Sequence, residues 1–236
     1  MLRLPTHADR RTGGRSAGAP ATAPAPVVLL TGFDAFGGAS VNPSWLVAHA
    51  LNRRKIGGHT IVAAQLSTVF GQSLHELATL LRQHRPALVV CLGLAGGRSA
   101  ISLERVAINI NDARIADNAG QQPIDSSVVP GAPAAYFTSL PIKAMLRALQ
   151  KAGIASAVSQ TAGTFVCNQV FYGLMDELAT RRAFKGVRGG FIHLPWLPEQ
   201  GAPSMRLDEM VRGLRIAVRC ALRTVNDVAI GAGATQ

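Results

Sequence analysis

Short aliphatic runs alternate with helical segments along most of this chain. Each run is bounded by Gly, Pro or polar residues, which is typical of buried β-strands. The runs predict six strands of one sheet, at residues 27–31, 60–66, 87–93, 105–111, 155–160 and 190–194. Aromatic residues make up only 5% of the chain, so the core that these strands form should be aliphatic.

The helical segments are marked by capping residues and by apolar faces. Asn42 precedes Pro43, and a capping side chain before a proline predicts a helix that runs to about Leu51. Later segments place apolar residues three and four positions apart, as amphipathic helices do. Strands and helices in alternation predict a three-layer α/β/α sandwich around a mostly parallel, twisted sheet, an architecture of phosphorylase-like and hydrolase-like proteins.

The first 26 residues differ from the rest of the chain. They contain four arginines and no hydrophobic period, so we expect a disordered extension before a single domain over 27–236. They lack the continuous apolar segment of a secretory signal, and no apolar run approaches the roughly 18 residues of a membrane span. The three cysteines lack CxxC spacing, which indicates free thiols and a cytoplasmic location.

The chain is basic, with a formal net charge of +11. The first 26 residues contribute +3, through four arginines and Asp9, and the remainder carries +8. Such a charge permits attraction to nucleic acid. No aromatic residues interleave with the basic ones, however, and we expect neither a nucleic-acid nor a membrane partner. The outer face of the last helix is interpreted as solvated rather than as a site for an acidic partner, although it carries Arg212, Arg215, Arg219 and Arg223.

Two Gly-rich loops follow predicted strands, at residues 31–38 and 93–98. Neither has the GxGxxG or GxxxxGK[ST] spacing, so dinucleotide and P-loop sites are not predicted. Phe33 and Phe36 lie in the first loop. If they are exposed there, they form the wall of an apolar ligand pocket. The alternative is that both side chains plug the end of the sheet, and composition does not separate the two.

Cys167 lies where a small-residue turn enters a helical segment. A thiol in the first turn of a helix is close to unpaired N–H groups and to the positive end of the helix dipole, which lower its pKa. The same N–H groups can donate hydrogen bonds to an oxyanion. Most single cysteines are inert small hydrophobes, and that reading remains open for Cys167 on these grounds.

His193 and Glu104 lie beside predicted strands. His193 ends the strand at residues 190–194, and Pro195 then directs the chain into a loop. Glu104, one of only 13 acidic residues, lies where a polar loop becomes a strand. A surface Glu paired with a neighbouring Arg is the alternative interpretation. No HExxH pair occurs, so no metal site is expected.

Several longer motifs that occur together in the chain are similar to those of a known family. The chain resembles the pyroglutamyl peptidase I family, also called pyrrolidone-carboxylate peptidases, from residue 27 to about residue 222. The motifs are GFDAFGG with NPSW, AGGRSAISLERVAIN, NDARIADN, SQTAGTFVCN and FIHLPWLPEQ. The resemblance implies an α/β/α enzyme without metal or cofactor that removes the pyroglutamyl residue from the N-terminus of peptides, usually as a cytosolic homotetramer.

The resemblance also implies roles for individual residues. The catalytic triad would be Cys167, His193 and Glu104. Arg114 and the Cys167 amide would lie near the scissile carbonyl, the thiolate would attack that carbonyl, and Glu104 would hold the tautomer of His193. The pocket for the lactam ring would be formed by Phe33, Phe36 and Phe165, with Asn42 helping to shape it.

The chain departs from the family at two points. Leu94 stands where members often have Gln, and a leucine side chain cannot form a hydrogen bond, so affinity or ring specificity can differ. The extension of residues 1–26 is the other departure.

Two rival hypotheses remain open at this stage. One is a phosphorylase-like hydrolase that does not depend on Cys167. The other is a binding module that keeps a pyroglutamate pocket with weak or no turnover.

Overall fold

A computed structural model describes residues 25–233 of the protein. Residues 1–24 and 234–236 lie outside the described residues, and with them nearly all of the expected disordered extension. Nine β-strands occur in the described range: β1 (Val27–Phe33), β2 (Lys55–Ile56), β3 (His59–Leu66), β4 (Leu88–Leu94), β5 (Ile101–Glu104), β6 (Val106–Ile108), β7 (Ala135–Phe137), β8 (Ser156–Ser159) and β9 (Arg188–Leu194).

Five α-helices accompany these strands between residues 25 and 233. They are α1 (Pro43–Leu51), α2 (Gln72–His84), α3 (Ile142–Lys151), α4 (Val166–Thr180) and α5 (Leu207–Arg223). The predicted start of α1 is confirmed, because the Asn42 side chain accepts a hydrogen bond from the Ser44 N–H at 3.1 Å. None of the helices in this range combines the length and apolar composition that crossing a membrane would require.

Seven strands form one twisted sheet in the order β2-β3-β1-β4-β9-β5-β8. Strands β3, β1, β4 and β9 are parallel to one another. Strand β5 is antiparallel to β9 and parallel to β8, and β2 is antiparallel to β3. The predicted α/β fold with a mostly parallel sheet is therefore confirmed.

The strand predicted at residues 105–111 is wrong. The chain instead forms β5 before Arg105 and β6 after it, and β6 pairs with β7 in a separate two-stranded sheet. Arg105 is the junction: its N–H donates to the carbonyl of Ser159, the last residue of β8, whereas its carbonyl accepts from the Thr138 N–H beyond β7. The polar pair Glu104 and Arg105 interrupts the alternation of apolar residues between Leu103 and Val106, but a break in the pattern does not show which strand each side pairs with.

Alternate residues of the central strands face two different layers of helices. Val28 and Ile192 belong to a buried apolar cluster with α1, α3 and α5. Leu29 and Phe191, each one position away, belong to a second cluster with α2 and α4. We call these the apolar face and the site face of the sheet, because the second also carries the buried polar side chains described below.

Candidate active site

Cys167 and His193 meet at Gly93, near the carboxyl end of β4. His193 pairs in register with Gly93, and its ring lies 4.8 Å from that of Phe191 on the site face. The Cys167 sulfur lies over the same glycine, because a Cβ atom added to Gly93 would be 2.8 Å from it. Since adjacent strands are about 4.8 Å apart, the thiol and the imidazole occupy neighbouring positions on one face.

Glu104 is hydrogen bonded to His193 inside the sheet. It is the last residue of β5, and its Oε1 atom lies 2.8 Å from His193 Nδ1. Both side chains are buried. With Glu104 ionised, this contact assigns the proton to Nδ1 and leaves Nε2 of His193 as an acceptor. Burial acts to raise the pKa of Glu104, but the hydrogen bond and charge of His193, with the side chains of Ser159 and Arg98, hold it below its ordinary value.

Arg98 is a further member of this cluster that the sequence did not single out. Its Nη1 atom donates to Glu104 Oε1 at 2.7 Å, and its Nη2 atom donates to the Thr161 carbonyl at 3.1 Å. The only available signal was the AGGRSAISLE motif, in which a cation stands six residues before the acid. Whether the two charges meet depends on the turn between β4 and β5, and spacing does not determine that turn.

The start of α4 presents free backbone donors beside Cys167. The N-cap residue, Phe165, provides no capping side chain, and the Gln169 N–H is the first to bond back to the Phe165 carbonyl. The N–H groups before Gln169 therefore lack an intrahelical partner, as at any helix N-terminus. The Cys167 N–H is one of them, and it can donate to an oxyanion that forms at the sulfur.

Asn168 fixes this first turn to the rest of the protein. Its side chain is fully buried. Its Oδ1 atom accepts from the Ile108 N–H at 3.0 Å, and its Nδ2 atom donates to the carbonyls of Ile108 and Ile110 at 2.9 and 3.0 Å. These three bonds tie α4 to β6 and to the segment after it. The residue after Cys167 therefore has a structural role, and a polar residue in a helical segment was too common a signal to indicate it.

The expected lowering of the Cys167 pKa is wrong for the resting site. Burial raises the pKa of the Cys167 thiol to about 12, and the nearby Glu104 carboxylate acts in the same direction. Arg98 opposes them. Desolvation penalises a thiolate, and here it outweighs the opposing charge of Arg98. The sulfur is therefore a protonated thiol until a base removes its proton.

Aromatic side chains form an apolar wall near Cys167. Phe36 and Phe165 are partly buried, and their ring centroids are 6.2 Å apart. Phe70 packs edge-on against Phe165 at 5.3 Å, a contact that the sequence analysis missed. The possible exposure of Phe33 is wrong. Phe33 ends β1 with 2% of its surface exposed and packs against Phe191, so it lies in the core beneath this wall.

Phe36 also lines an open cavity of about 650 Å³. Leu94, the last residue of β4, lines it together with Arg114 and Trp196. Arg114 is exposed to solvent, and its predicted role at the scissile carbonyl stays a prediction. Leu94 adds an apolar surface with no hydrogen-bonding group, as the sequence indicated.

Asn42 and Asp34 shape the loop that carries Phe36. The buried Asn42 side chain donates to the Asp34 carbonyl at 2.9 Å, so the residue that caps α1 also holds this loop. Asp34 Oδ1 accepts from the Thr68 N–H at 2.7 Å. Asn118 donates to the Ala35 carbonyl at 2.9 Å. These bonds hold the loop that carries Phe36, and the role of Asn42 in shaping a substrate pocket stays a prediction.

Within residues 25–233 no group of three or more His, Cys, Asp or Glu side chains is arranged to hold a metal ion. The buried polar residues described above hydrogen bond to one another or to backbone groups instead.

The chain is similar in sequence to known proteins. The family model described as pyroglutamyl peptidase matches residues 27–224. Pyrrolidone-carboxylate peptidase from Cupriavidus taiwanensis is 56% identical over 208 residues, which cover 86% of this chain and 96% of that protein. The protein of the same name from Bacillus cereus is 51% identical over 214 residues, with 89% and 99% covered.

Solved structures give the same result. The crystal structure of pyroglutamyl peptidase I from Bacillus amyloliquefaciens has a TM-score of 0.85 at 49% identity and covers 88% of this chain and 100% of that chain. Pyrrolidone carboxyl peptidase from Thermococcus litoralis has a TM-score of 0.84 at 34% identity, with 87% and 99% covered.

Proposed function

The chain belongs to the pyroglutamyl peptidase family, and on this premise we propose that Cys167, His193 and Glu104 perform its reaction. The family removes the pyroglutamyl residue from the N-terminus of peptides, and the chain is a cysteine peptidase with this activity. The observation that carries the assignment of residues is the 2.8 Å contact between Glu104 Oε1 and His193 Nδ1, next to the glycine over which the Cys167 sulfur lies.

The reaction begins with a proton transfer that the resting site does not make spontaneously. Because the thiol pKa is raised, Cys167 passes its proton to His193 Nε2 as the sulfur attacks the pyroglutamyl carbonyl. The imidazolium so formed is stabilised by Glu104, which also keeps the ring oriented. The carbonyl oxygen becomes an oxyanion and accepts a hydrogen bond from the Cys167 N–H, with Arg114 as a second proposed donor.

Collapse of this intermediate breaks the bond to the leaving amine. His193 returns its proton to that amine, which departs as the shortened peptide, and a thioester joins the pyroglutamyl group to Cys167. A water molecule then attacks the thioester while His193 accepts its proton. The thiolate leaves and is reprotonated from His193, which restores the thiol and the neutral imidazole.

The apolar wall that Phe36 and Phe165 form suits the chemistry of a lactam ring. A pyroglutamyl group has no free amine, so its site needs no carboxylate to hold an N-terminal charge. Apolar contacts from Phe36 and Phe165 on opposite sides of the ring would provide the affinity, with Phe33 below them. The lactam N–H and carbonyl still need hydrogen-bond partners, because an unpaired buried amide costs about 1 to 3 kcal/mol. Backbone groups of the loop that Asn42 holds can supply them.

The remaining expectations are proposals that rest on the family resemblance. We propose that the chain acts in the cytoplasm as a homotetramer, from a single domain that begins at residue 27. We propose that Leu94 changes the affinity for the lactam ring or the ring specificity, and that no cofactor, nucleic acid or membrane takes part in the reaction.

The test is hydrolysis of a pyroglutamyl fluorogenic amide by the wild type and by Cys167→Ala. We expect the substitution to lower kcat by at least about 10⁴-fold, because the reaction loses its nucleophile. Cys220→Ala is the matched control, since Cys220 is a partly buried free thiol on α5, and it should keep wild-type kcat.

Two results would favour the rival functions instead. Turnover that survives both Cys167→Ala and iodoacetamide would point to a hydrolase that does not use this thiol. Thermal protection by pyroglutamate without turnover of the amide by the wild type would point to a binding module.

A further inference from the structure

Arg98 connects two parts of the site that arise from different segments of the chain. One hydrogen bond, of 2.7 Å, reaches the carboxylate of Glu104. Two others reach the segment that leads into α4, at the Ser159 hydroxyl (3.4 Å) and the Thr161 carbonyl (3.1 Å). The guanidinium therefore lies between the acid and the loop that positions Cys167. Its planar array of donors can hold both partners at once, which a single ammonium group cannot do in the same geometry.

The Glu104 carboxylate needs a permanent cation next to it. Its side chain is fully buried, and Oε2 has no hydrogen-bond partner among residues 25–233. Oε1 is shared between His193 and Arg98. A buried carboxylate that lacked Arg98 would be paired with His193 alone. The carboxylate would then either stabilise the imidazolium form of His193 or become protonated itself. In neither state is His193 ready to accept a proton from a thiol.

Charged and titratable groups face this cluster from each strand and helix around it. They are His193 on β9, Arg98 in the loop after β4, Cys91 on β4 and Cys167 on α4, while β8 contributes the neutral Ser159. Arg105, which follows Glu104, donates to the Ala232 carbonyl instead. In this set, therefore, only Arg98 carries a permanent positive charge.

We propose that Arg98 is a positioning residue of the reaction, whose guanidinium compensates the buried charge of Glu104 and braces the loop that leads into α4, the helix of the Cys167 nucleophile. The proposal rests on the proposed function for its kinetic consequences, but its electrostatic consequence can be measured without a substrate. A nearby cation stabilises every anion and disfavours every cation around it. Removal of the Arg98 charge should therefore displace all proton equilibria of the site to higher pH.

The experiment compares the full-length wild type with Arg98→Gln, Arg98→Lys and the matched control Arg82→Gln, which removes one exposed arginine from α2. The first readout is the rate at which iodoacetamide alkylates Cys167, followed by mass spectrometry of the Cys167 peptide across a pH series. We expect about tenfold slower alkylation of Arg98→Gln at a given pH, which corresponds to a displacement of one pH unit. The acidic limb of its kcat/KM profile should move in the same direction.

Arg98→Lys separates the charge from the bracing contacts. A lysine keeps the positive charge but loses the bond from Nη2 to Thr161. We therefore expect the wild-type pH profiles with a kcat reduced by about threefold to tenfold, because the nucleophile is held less well. Arg82→Gln should match the wild type in both respects. A purely structural role would lower the Tm of the Arg98 variants and leave both pH profiles unchanged.

The outcomes are decisive in either direction. Wild-type alkylation and kcat/KM profiles in Arg98→Gln would overturn the proposal. If Arg98→Gln does not fold, Arg98→Lys decides, since a displaced profile or an undiminished kcat in that variant contradicts it. The wild type could also fail to hydrolyse a pyroglutamyl amide while Arg98→Gln displaces the alkylation profile. That result would support the role of Arg98 and reject the proposed function. The failure of one proposal can therefore be distinguished from the failure of the other.

Discussion

The two faces of the central sheet come from the same strands but bury different kinds of side chain. Towards α1, α3 and α5 the buried residues of the central strands are apolar. Towards α2 and α4 the same strands also bury polar side chains. The buried polar residues of the central strands are Thr31, Ser102, Glu104 and His193, and all four alternate with residues of the apolar face.

The difference between the two faces suggests that one contributes to stability alone and the other to both stability and turnover. Burial of apolar surface stabilises the fold on both faces, at roughly 25 cal/mol per Å². A buried ion pair contributes little net stability, because desolvation offsets most of its attraction. On the proposed function, the Glu104–His193 pair therefore serves the reaction rather than the fold. Changes on the apolar face should affect stability alone, whereas changes on the site face should also affect turnover.

The largest effect is expected for Glu104→Gln on the site face. The amide keeps the size of the side chain but cannot stabilise an imidazolium, so kcat should fall on the order of a thousandfold in steady-state hydrolysis. The pKa of Glu104 is held below 4.5, so its charge contributes stability above that pH, and this contribution is lost as the pH falls through the lowered pKa. Wild-type Tm should therefore decline more steeply below pH 4.5 than Tm of the variant. A variant with wild-type kcat would contradict the role of Glu104.

A matched pair of leucines compares the two faces directly. Leu149 on α3 and Leu174 on α4 are both fully buried, one in each apolar cluster. Replacement of either by Ala should lower the free energy of unfolding by about 2 to 5 kcal/mol in urea denaturation. Only Leu174→Ala should also lower kcat per folded molecule, because α4 carries Cys167. Equal kcat values for the two variants would show that the helix of the nucleophile tolerates repacking.

The pH dependence of Cys167 alkylation tests which effect sets the pKa of this thiol on the site face. Because burial raises the pKa of Cys167 to about 12, alkylation of the wild type without substrate should increase about tenfold per pH unit. From pH 7 to pH 9 the rate should rise about a hundredfold without a plateau. A plateau near neutral pH would mean that the helix dipole and His193 outweigh burial, and that the resting site holds a thiolate.

The smallest effect is expected at the edge of the apolar face. Asp227 accepts hydrogen bonds from the N–H groups of Lys143 and Ala144 and so caps α3, whose own N-cap residue has no capping side chain. Asp227→Ala should lower the free energy of unfolding by about 1 kcal/mol and leave kcat unchanged. Asp227→Asn keeps an acceptor and should lose less. A fall in kcat would show that α3 influences the site.

The position of a side chain was predictable from the sequence where it depends on residues of a single segment. The cap at Asn42, the position of Cys167 in the first turn of α4 and that of His193 near the end of β9 all follow from neighbouring residues. Contacts between segments were not predictable in the same way. Arg98 and Glu104 are six residues apart, yet their ion pair depends on the turn between β4 and β5.

The thiol of Cys167 illustrates the same limit for energetics. A helix N-terminus predicts a lowered pKa, but the sum of burial and the Glu104 charge raises it. Desolvation depends on every atom packed around the sulfur, most of which come from distant segments. A sequence pattern therefore indicates which groups can interact without indicating which effect is larger.

By itself the sequence determined the alternation of strands and helices, the apolar period of each element and the family to which the chain belongs, because these depend on neighbouring residues and on whole motifs. Tertiary structure alone decided that Glu104 ends an antiparallel strand beside His193, that Phe33 is buried and that Arg98 joins the site. The physical reason is that strand pairing and desolvation are properties of residues far apart in the chain, which become neighbours only when the sheet is assembled.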